Sequence, residues 1–174
     1  VTTNLDKEIT LLEFSVPTAP VVQRVITGFN DVSMIRLVGD TLFVGDRGTS
    51  ELISFDVSDP SAPVELDRLV IDSIWSVEVM RAAVQDGLMM TPDNYGRPLL
   101  FDISDPTNLQ QRTDTSFADG YDGQGALPIG AHRWVFLGYD WTSVYDLSLP
   151  PDEAFIADAY QDGMDYGAAA WAPP

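Results

Sequence analysis

Short runs of alternating apolar and polar residues, each closed by Gly, Asp, Asn or Pro, follow one another from residue 9 to about residue 160. Alternation on that scale is the period of a half-buried β-strand, and the closing residues are turn formers. Val32 to Val38, Thr41 to Gly45, Leu52 to Val57 and Val64 to Ile71 give four strands in succession. Gly39-Asp40 and the loop Asp46-Arg47-Gly48-Thr49-Ser50 join the first three. Ser58-Asp59-Pro60 ends the third, because Pro cannot donate a ladder hydrogen bond. Four strands on such short turns predict one antiparallel sheet. The order then repeats in Val77 to Val84, Leu88-Met89-Met90, Leu99 to Ile103 and Leu109 to Thr113. It returns again in Ala126 to Ile129, Arg133 to Gly138, Ser143 to Leu147 and Ala154 to Ala159. In this reading the second strand of each set runs out at Asp46, Asp93 and Asp140. No stretch keeps a helical period, so helix is expected to be scarce.

The third strand of each set carries a signature: apolar, acid, apolar, Ser, any residue, Pro. It reads Phe55-Asp56-Val57-Ser58-Asp59-Pro60, Phe101-Asp102-Ile103-Ser104-Asp105-Pro106 and Tyr145-Asp146-Leu147-Ser148-Leu149-Pro150. An earlier copy is Leu12-Glu13-Phe14-Ser15-Val16-Pro17. The acids at 13, 56, 102 and 146 are 43, 46 and 44 residues apart, close to the ~40–45 residues of a four-stranded propeller blade. The expected fold is all-β, a β-propeller of four-stranded antiparallel blades in a single segment, residues 1–174. Its repeats fall near 9–27 (partial), 31–71, 75–115, 122–160 and 163–174 (partial). Residues 9–27 supply two closing strands and 163–172 one opening strand, while Val1-Thr2-Thr3-Asn4 is a poor candidate for the strand between them. A start at Val1 without an initiator Met suits a processed chain or an internal piece, so part of a larger propeller is expected.

Gly39-Asp40-Thr41-Leu42-Phe43-Val44 leading into Phe55-Asp56-Val57-Ser58-Asp59-Pro60-Ser61-Ala62-Pro63 resembles the blade of the LVIVD-repeat β-propellers. The 101–106 copy fits well, the 145–150 copy has Leu149 in place of Asp, and the 12–17 copy has Glu13 for Asp. The resemblance spans residues 9 to about 170. It implies an exported or cell-surface propeller distantly related to the WD-repeat group, and it assigns no activity.

Charge narrows the partners. The chain has 27 acids against 9 bases, a net charge of −18, a field that repels phosphate backbones and anionic membranes and so argues against nucleic acid. Of the acids 21 are Asp, partly because Asp closes turns. The remainder points to a salt-adapted or extracytoplasmic setting: extracellular, cell-surface or periplasmic. No apolar run reaches the ~18 residues of a membrane span. Without Cys there is no disulfide, thiol nucleophile or thiolate metal site.

Candidate chemistry is sparse. The repeated acids sit just before a turn, where a carboxylate accepts backbone N–H bonds. The segments joining one set of strands to the next are Gly28-Phe29-Asn30-Asp31, Asp72-Ser73-Ile74-Trp75, Asp119-Gly120-Tyr121-Asp122-Gly123-Gln124-Gly125 and Asp162-Gly163-Met164-Asp165-Tyr166-Gly167. In a propeller they gather at one mouth of the central channel, which makes Asp31, Trp75, Tyr121, Asp122 and Asp165 the candidate binding residues. Asp119, Asp122, Asp162 and Asp165 could hold a hard cation such as Ca²⁺. No D-x-[DN]-x-[DN]-G loop, phosphate loop, dinucleotide fingerprint or G-x-S-x-G elbow accompanies them, so no cofactor is expected. The sole histidine, His132, reads as a turn residue and Trp134 as core, while Trp141 reads as an exposed hairpin tip. The expected function is therefore non-enzymatic: a rigid module that binds other proteins or takes part in an assembly. The alternatives are a glycan hydrolase or lyase using acids at the channel mouth, and a purely structural subunit of a larger complex.

Overall fold

The computed structural model describes residues 2–4, 7–71, 82–93, 97–112, 123–138, 141–149 and 153–160. All regular structure among them is β, and none of it is a helix long and apolar enough to cross a membrane. The first sheet is β1 (Thr2–Asn4), β2 (Glu8–Glu13) and β3 (Val21–Ile26); the second is β4 (Val32–Val38), β5 (Thr41–Asp46), β6 (Glu51–Asp56) and β7 (Val64–Val70). The third is β8 (Ala83–Gln85), β9 (Leu88–Pro92), β10 (Pro98–Asp102) and β11 (Gln110–Gln111); the fourth is β12 (Gly123–Gly130), β13 (Arg133–Gly138), β14 (Trp141–Asp146) and β15 (Phe155–Tyr160). Each sheet is an antiparallel meander in chain order. Thr2–Asn4, a poor strand candidate on sequence, does pair with β2, Thr2 opposite Thr10 and Asn4 opposite Glu8. Antiparallel pairing needs only backbone groups, and β-branched Thr suits the pleat.

One turn bond recurs. The residue after the repeated acid donates its N–H to the hairpin joining the first two strands: Val57 to Asp40 O, Ile103 to Gly87 O and Leu147 to His132 O, each at 2.8 Å. At the Asp86-Gly87 turn the approach is so close that a Cβ on Gly87 would sit 2.8 Å from Ser104 Cβ, and φ is +77°. Only glycine meets both demands. The outer strand is also irregular at a fixed place: β3, β7 and β15 each carry one extra residue, Gln23, Leu66 or Ile156. Such bulges bend an edge and interrupt its ladder.

The chain forms two compact units, Val1–Val77 with Pro106–Leu109, and Glu78–Asp105 with Gln110–Pro174. In the first, Ile9 and Leu11 of β2 pack against Leu42, Val44, Ile53 and Phe55 of the second sheet, with Phe29 edge-on to Phe55 at 6.2 Å between ring centroids. Residues 106–109 lie on the other face of that second sheet. Ser54 Oγ donates to Pro106 O at 2.6 Å, and Leu109 N–H donates to Asp67 Oδ2 at 2.7 Å. In the second unit, Ala83, Met90 and Leu100 pack against Trp134, Phe136 and Tyr145.

Candidate functional site

The repeated acids are turn fasteners. Asp56 Oδ1 accepts Ser58 N–H at 2.8 Å. Asp102 Oδ1 accepts Ser104 N–H at 3.0 Å and its hydroxyl at 2.6 Å, and Asp146 Oδ1 accepts Ser148 N–H at 3.1 Å and its hydroxyl at 2.6 Å. These bonds stabilise the ionised form and hold each carboxyl below its ordinary range: the Ser58 N–H leads for Asp56, and the hydroxyls of Ser104 and Ser148 lead for the others. Arg133 Nε adds a 3.1 Å bond to Asp146. Asp59 repeats the device one turn later on the Ser61 hydroxyl and N–H. Glu13, one methylene longer, instead accepts from Gln23 Nε2 at 2.5 Å.

At the opposite end of the strands lies Asp31, the one candidate binding residue among those described. Asp46, at the end of β5, is 1% exposed and accepts three backbone N–H groups: Asn30 at 2.8 Å, Asp31 at 2.9 Å and Gly48 at 2.9 Å. A Cβ on Gly48 would come within 2.5 Å of Asn30 Cβ, so the loop needs glycine to close on the incoming segment. Arg47 then clamps Asp31, Nε at 2.7 Å and its terminal nitrogen at 2.6 Å from Oδ2, while its N–H donates to Asp31 O at 2.8 Å. The Asp31 carboxylate is thus engaged in joining the first sheet's exit to the second sheet's hairpin. Asp93 holds the same register position in the third sheet, opposite the loop residue Arg97, which it binds at 2.7 Å through Nε and a terminal nitrogen.

The fourth sheet departs from the sequence reading here. Arg133 pairs with Asp146 as Thr41 pairs with Asp56, so the counterpart of Asp46 is Gly138, the last residue of β13. Asp140 lies outside the described residues, as do Trp75, Asp119, Tyr121, Asp122, Asp162 and Asp165. Among the described residues no group of three or more His, Asp or Glu side chains could hold a metal. His132 sits exposed at the β12–β13 turn with φ of +62°, and Trp134 is 1% exposed in the core. Trp141 opens β14.

Several exposed apolar side chains share one end of the strands, which sequence reasoning missed. In the first unit Phe14, Val16, Val21, Leu37, Val38 and Val64 are all exposed, and all lie at the end of the strands marked by the acid–Pro turns. In the second blade the register places Val38 and Val64 on the two outermost strands of this end, with Thr41 and Asp56 between them. Leu149 and Phe155 are exposed at the matching end in the second unit. Alternation gave no hint of this, because it distinguishes the two faces of a sheet and not its two ends.

No protein-family profile matches the chain, and no curated protein matches it. Solved structures do. BamB from Moraxella catarrhalis aligns over 80% of this chain and 40% of its own with a TM-score of 0.56 at 13% identity. Saccharomyces cerevisiae Sqt1 aligns over 82% and 40% with a TM-score of 0.63, also at 13% identity. The fold is a β-propeller of four-stranded antiparallel blades. The likeness carries the fold alone, and the chain spans about two-fifths of either propeller's length.

Proposed function

We propose that this chain is a protein-binding propeller module of the LVIVD-repeat type, non-enzymatic and free of cofactor, working at the cell surface or in the periplasm. The observation that carries the reading is the exposure of six apolar side chains at the acid–Pro end of the first unit's strands, Phe14, Val16, Val21, Leu37, Val38 and Val64. Exposed apolar side chains gathered on a rigid frame mark interaction surfaces. Exposed Asp40 and Asp59 lie in turns at the same end, on a chain of net charge −18. The partner that fits is a protein presenting an apolar contact strip ringed by Lys and Arg, whose association the acidic field would speed and salt would slow.

The test uses the protein purified with its partner from the native source. Exchanging the chain for one carrying Val38→Arg and Val64→Arg is expected to weaken the partner's binding on the order of 100-fold, as loss of a buried apolar anchor does, whereas Asp31→Ala retains it. Full retention by the double variant would overturn the reading.

A further inference from the structure

The acid–Pro turns differ in how they are seated. Pro17 to Pro20 are exposed throughout, and Pro60 to Ala62 are exposed with Pro63 half-buried. In Pro106-Thr107-Asn108-Leu109 the two middle residues are exposed, whereas Pro106 is half-buried and Leu109 only 5% exposed. The first and fourth residues of this turn are anchored, and the anchors are main-chain groups. Pro106 O accepts the Ser54 hydroxyl at 2.6 Å, and the Leu109 N–H donates to Asp67 Oδ2 at 2.7 Å. Ser54 is 0% exposed, so its hydroxyl and the buried Leu109 amide would each be costly to leave unpaired. All six residues belong to the first compact unit.

Ser54 and Asp67 hold a defined place in the repeat. They stand opposite each other, two residues before the repeated Asp56 and beside the bulge at Leu66. In the first blade that place is taken by Leu11 opposite Arg24, and in the fourth by Val144 opposite Ala157. None of these four side chains can accept an N–H bond. The turns vary in step. The copy next in sequence after Leu11 and Arg24 is 60–63, which ends in Pro63, and the copy next after Ser54 and Asp67 is 106–109, which ends in Leu109. The first blade, without the acceptor, is followed by a turn without the donor. The second blade, with the acceptor, is followed by a turn that has it. Pro20 and Pro63 carry no N–H, so either of their turns would leave the Asp67 carboxylate unanswered.

We propose that Ser54 and Asp67 form a selective binding site for a Pro-x-x-Leu turn, which accepts residues 106–109 and rejects the Pro-x-x-Pro turns of the first two blades. Its ligand is a peptide turn offering a carbonyl at the first residue, and a free N–H with an apolar side chain at the fourth. Similar repeats in one chain are prone to pairing out of order. A buried donor and acceptor that only one of these turns can answer raise the cost of the wrong pairing. The site stands independently of the partner surface proposed above.

Hydrogen exchange of the Leu109 amide, with urea denaturation of the same variants, tests the site. Asp67→Ala should speed that exchange on the order of 10- to 100-fold, the range for losing a bond to a charged acceptor. Asp67→Asn, which keeps an acceptor oxygen, should fall between. Thr107→Ser with Asn108→Ala copies the middle of the second blade's turn and should change the folding constant by about two-fold or less. Adding Leu109→Pro completes the copy and should lower it by at least about 10-fold. Asp67→Ala should then cost little more in the Leu109→Pro background, about two-fold at most. Should Leu109→Pro not fold, the exchange series at Asp67 decides alone. Unchanged Leu109 exchange in Asp67→Ala, or an equal loss from Asp67→Ala with and without Leu109→Pro, would overturn the proposal.

Discussion

Asp46→Ala separates structural acids from functional ones. The Asp46 carboxylate is 1% exposed and is the acceptor for the N–H groups of Asn30, Asp31 and Gly48. Bonds to a charged acceptor are worth about 1.5–3 kcal/mol each when buried. Asn30 and Gly48 are exposed and can turn to water, so about 1 kcal/mol apiece is the fitting figure, or about 3 kcal/mol in all. For a chain of this length that lowers the thermal midpoint by roughly 6–12 °C. Asp46→Asn should cost about half as much, since Oδ1 still accepts from Asp31 and Gly48 while the new amide faces the Asn30 N–H. Asp31→Ala removes only an ion pair whose side chains are 29% and 39% exposed, worth about 1 kcal/mol or less. The assay is urea and thermal denaturation, with hydrogen exchange of the amides of residues 30, 31 and 48 as the local readout. Faster exchange at those amides should accompany the Ala variant. An Asp46→Ala protein that loses less than about 1 kcal/mol, or one more stable than Asp31→Ala, would refute the fastening role.

Two further predictions address the repeated turn. Gly87→Ala should destabilise by about 1–3 kcal/mol in urea melts, because the left-handed backbone and the 2.8 Å approach to Ser104 Cβ both reject a methyl group; an unchanged midpoint would contradict the packing described. Ser104→Ala should raise the Asp102 pKa toward the ordinary carboxylate value in a carboxyl-carbon NMR titration, since the hydroxyl is the leading cause of its depression. A depressed folded pKa contributes stability that is complete above the unfolded value of about 4 and lost as pH falls through the folded one. The stability gap between wild type and Ser104→Ala should therefore be widest near neutral pH and close below pH ~4. A gap constant down to acid pH would contradict that sign.

Much of the frame was legible because period-two alternation and Pro-terminated turns act locally. The strands of the second blade, the turn role of His132 and the core position of Trp134 all follow from neighbours within a few residues. Longer-range features were not legible. The commitment of Asp31 to Arg47 depends on a loop 16 residues away, and no spacing along one strand reports it. Matching Asp140 to Asp46 failed because residue counting ignores register: Arg133 opposite Asp146 sets Gly138 in that place. The bulges fall at a fixed distance from the acid, yet their residues Gln23, Leu66 and Ile156 share no chemistry that would mark them. β1 escaped because three residues are too few to show a period.

Hydrogen exchange on the chain purified with its native partner locates the protein-binding surface proposed at the acid–Pro end. Amide exchange of this chain is compared with the partner bound and alone. Slowed exchange is expected at residues 14–21, 37–40 and 57–64, with residues 28–31 and 47–50 unchanged. Protection confined to 28–31 and 47–50, or no difference at all, would contradict it.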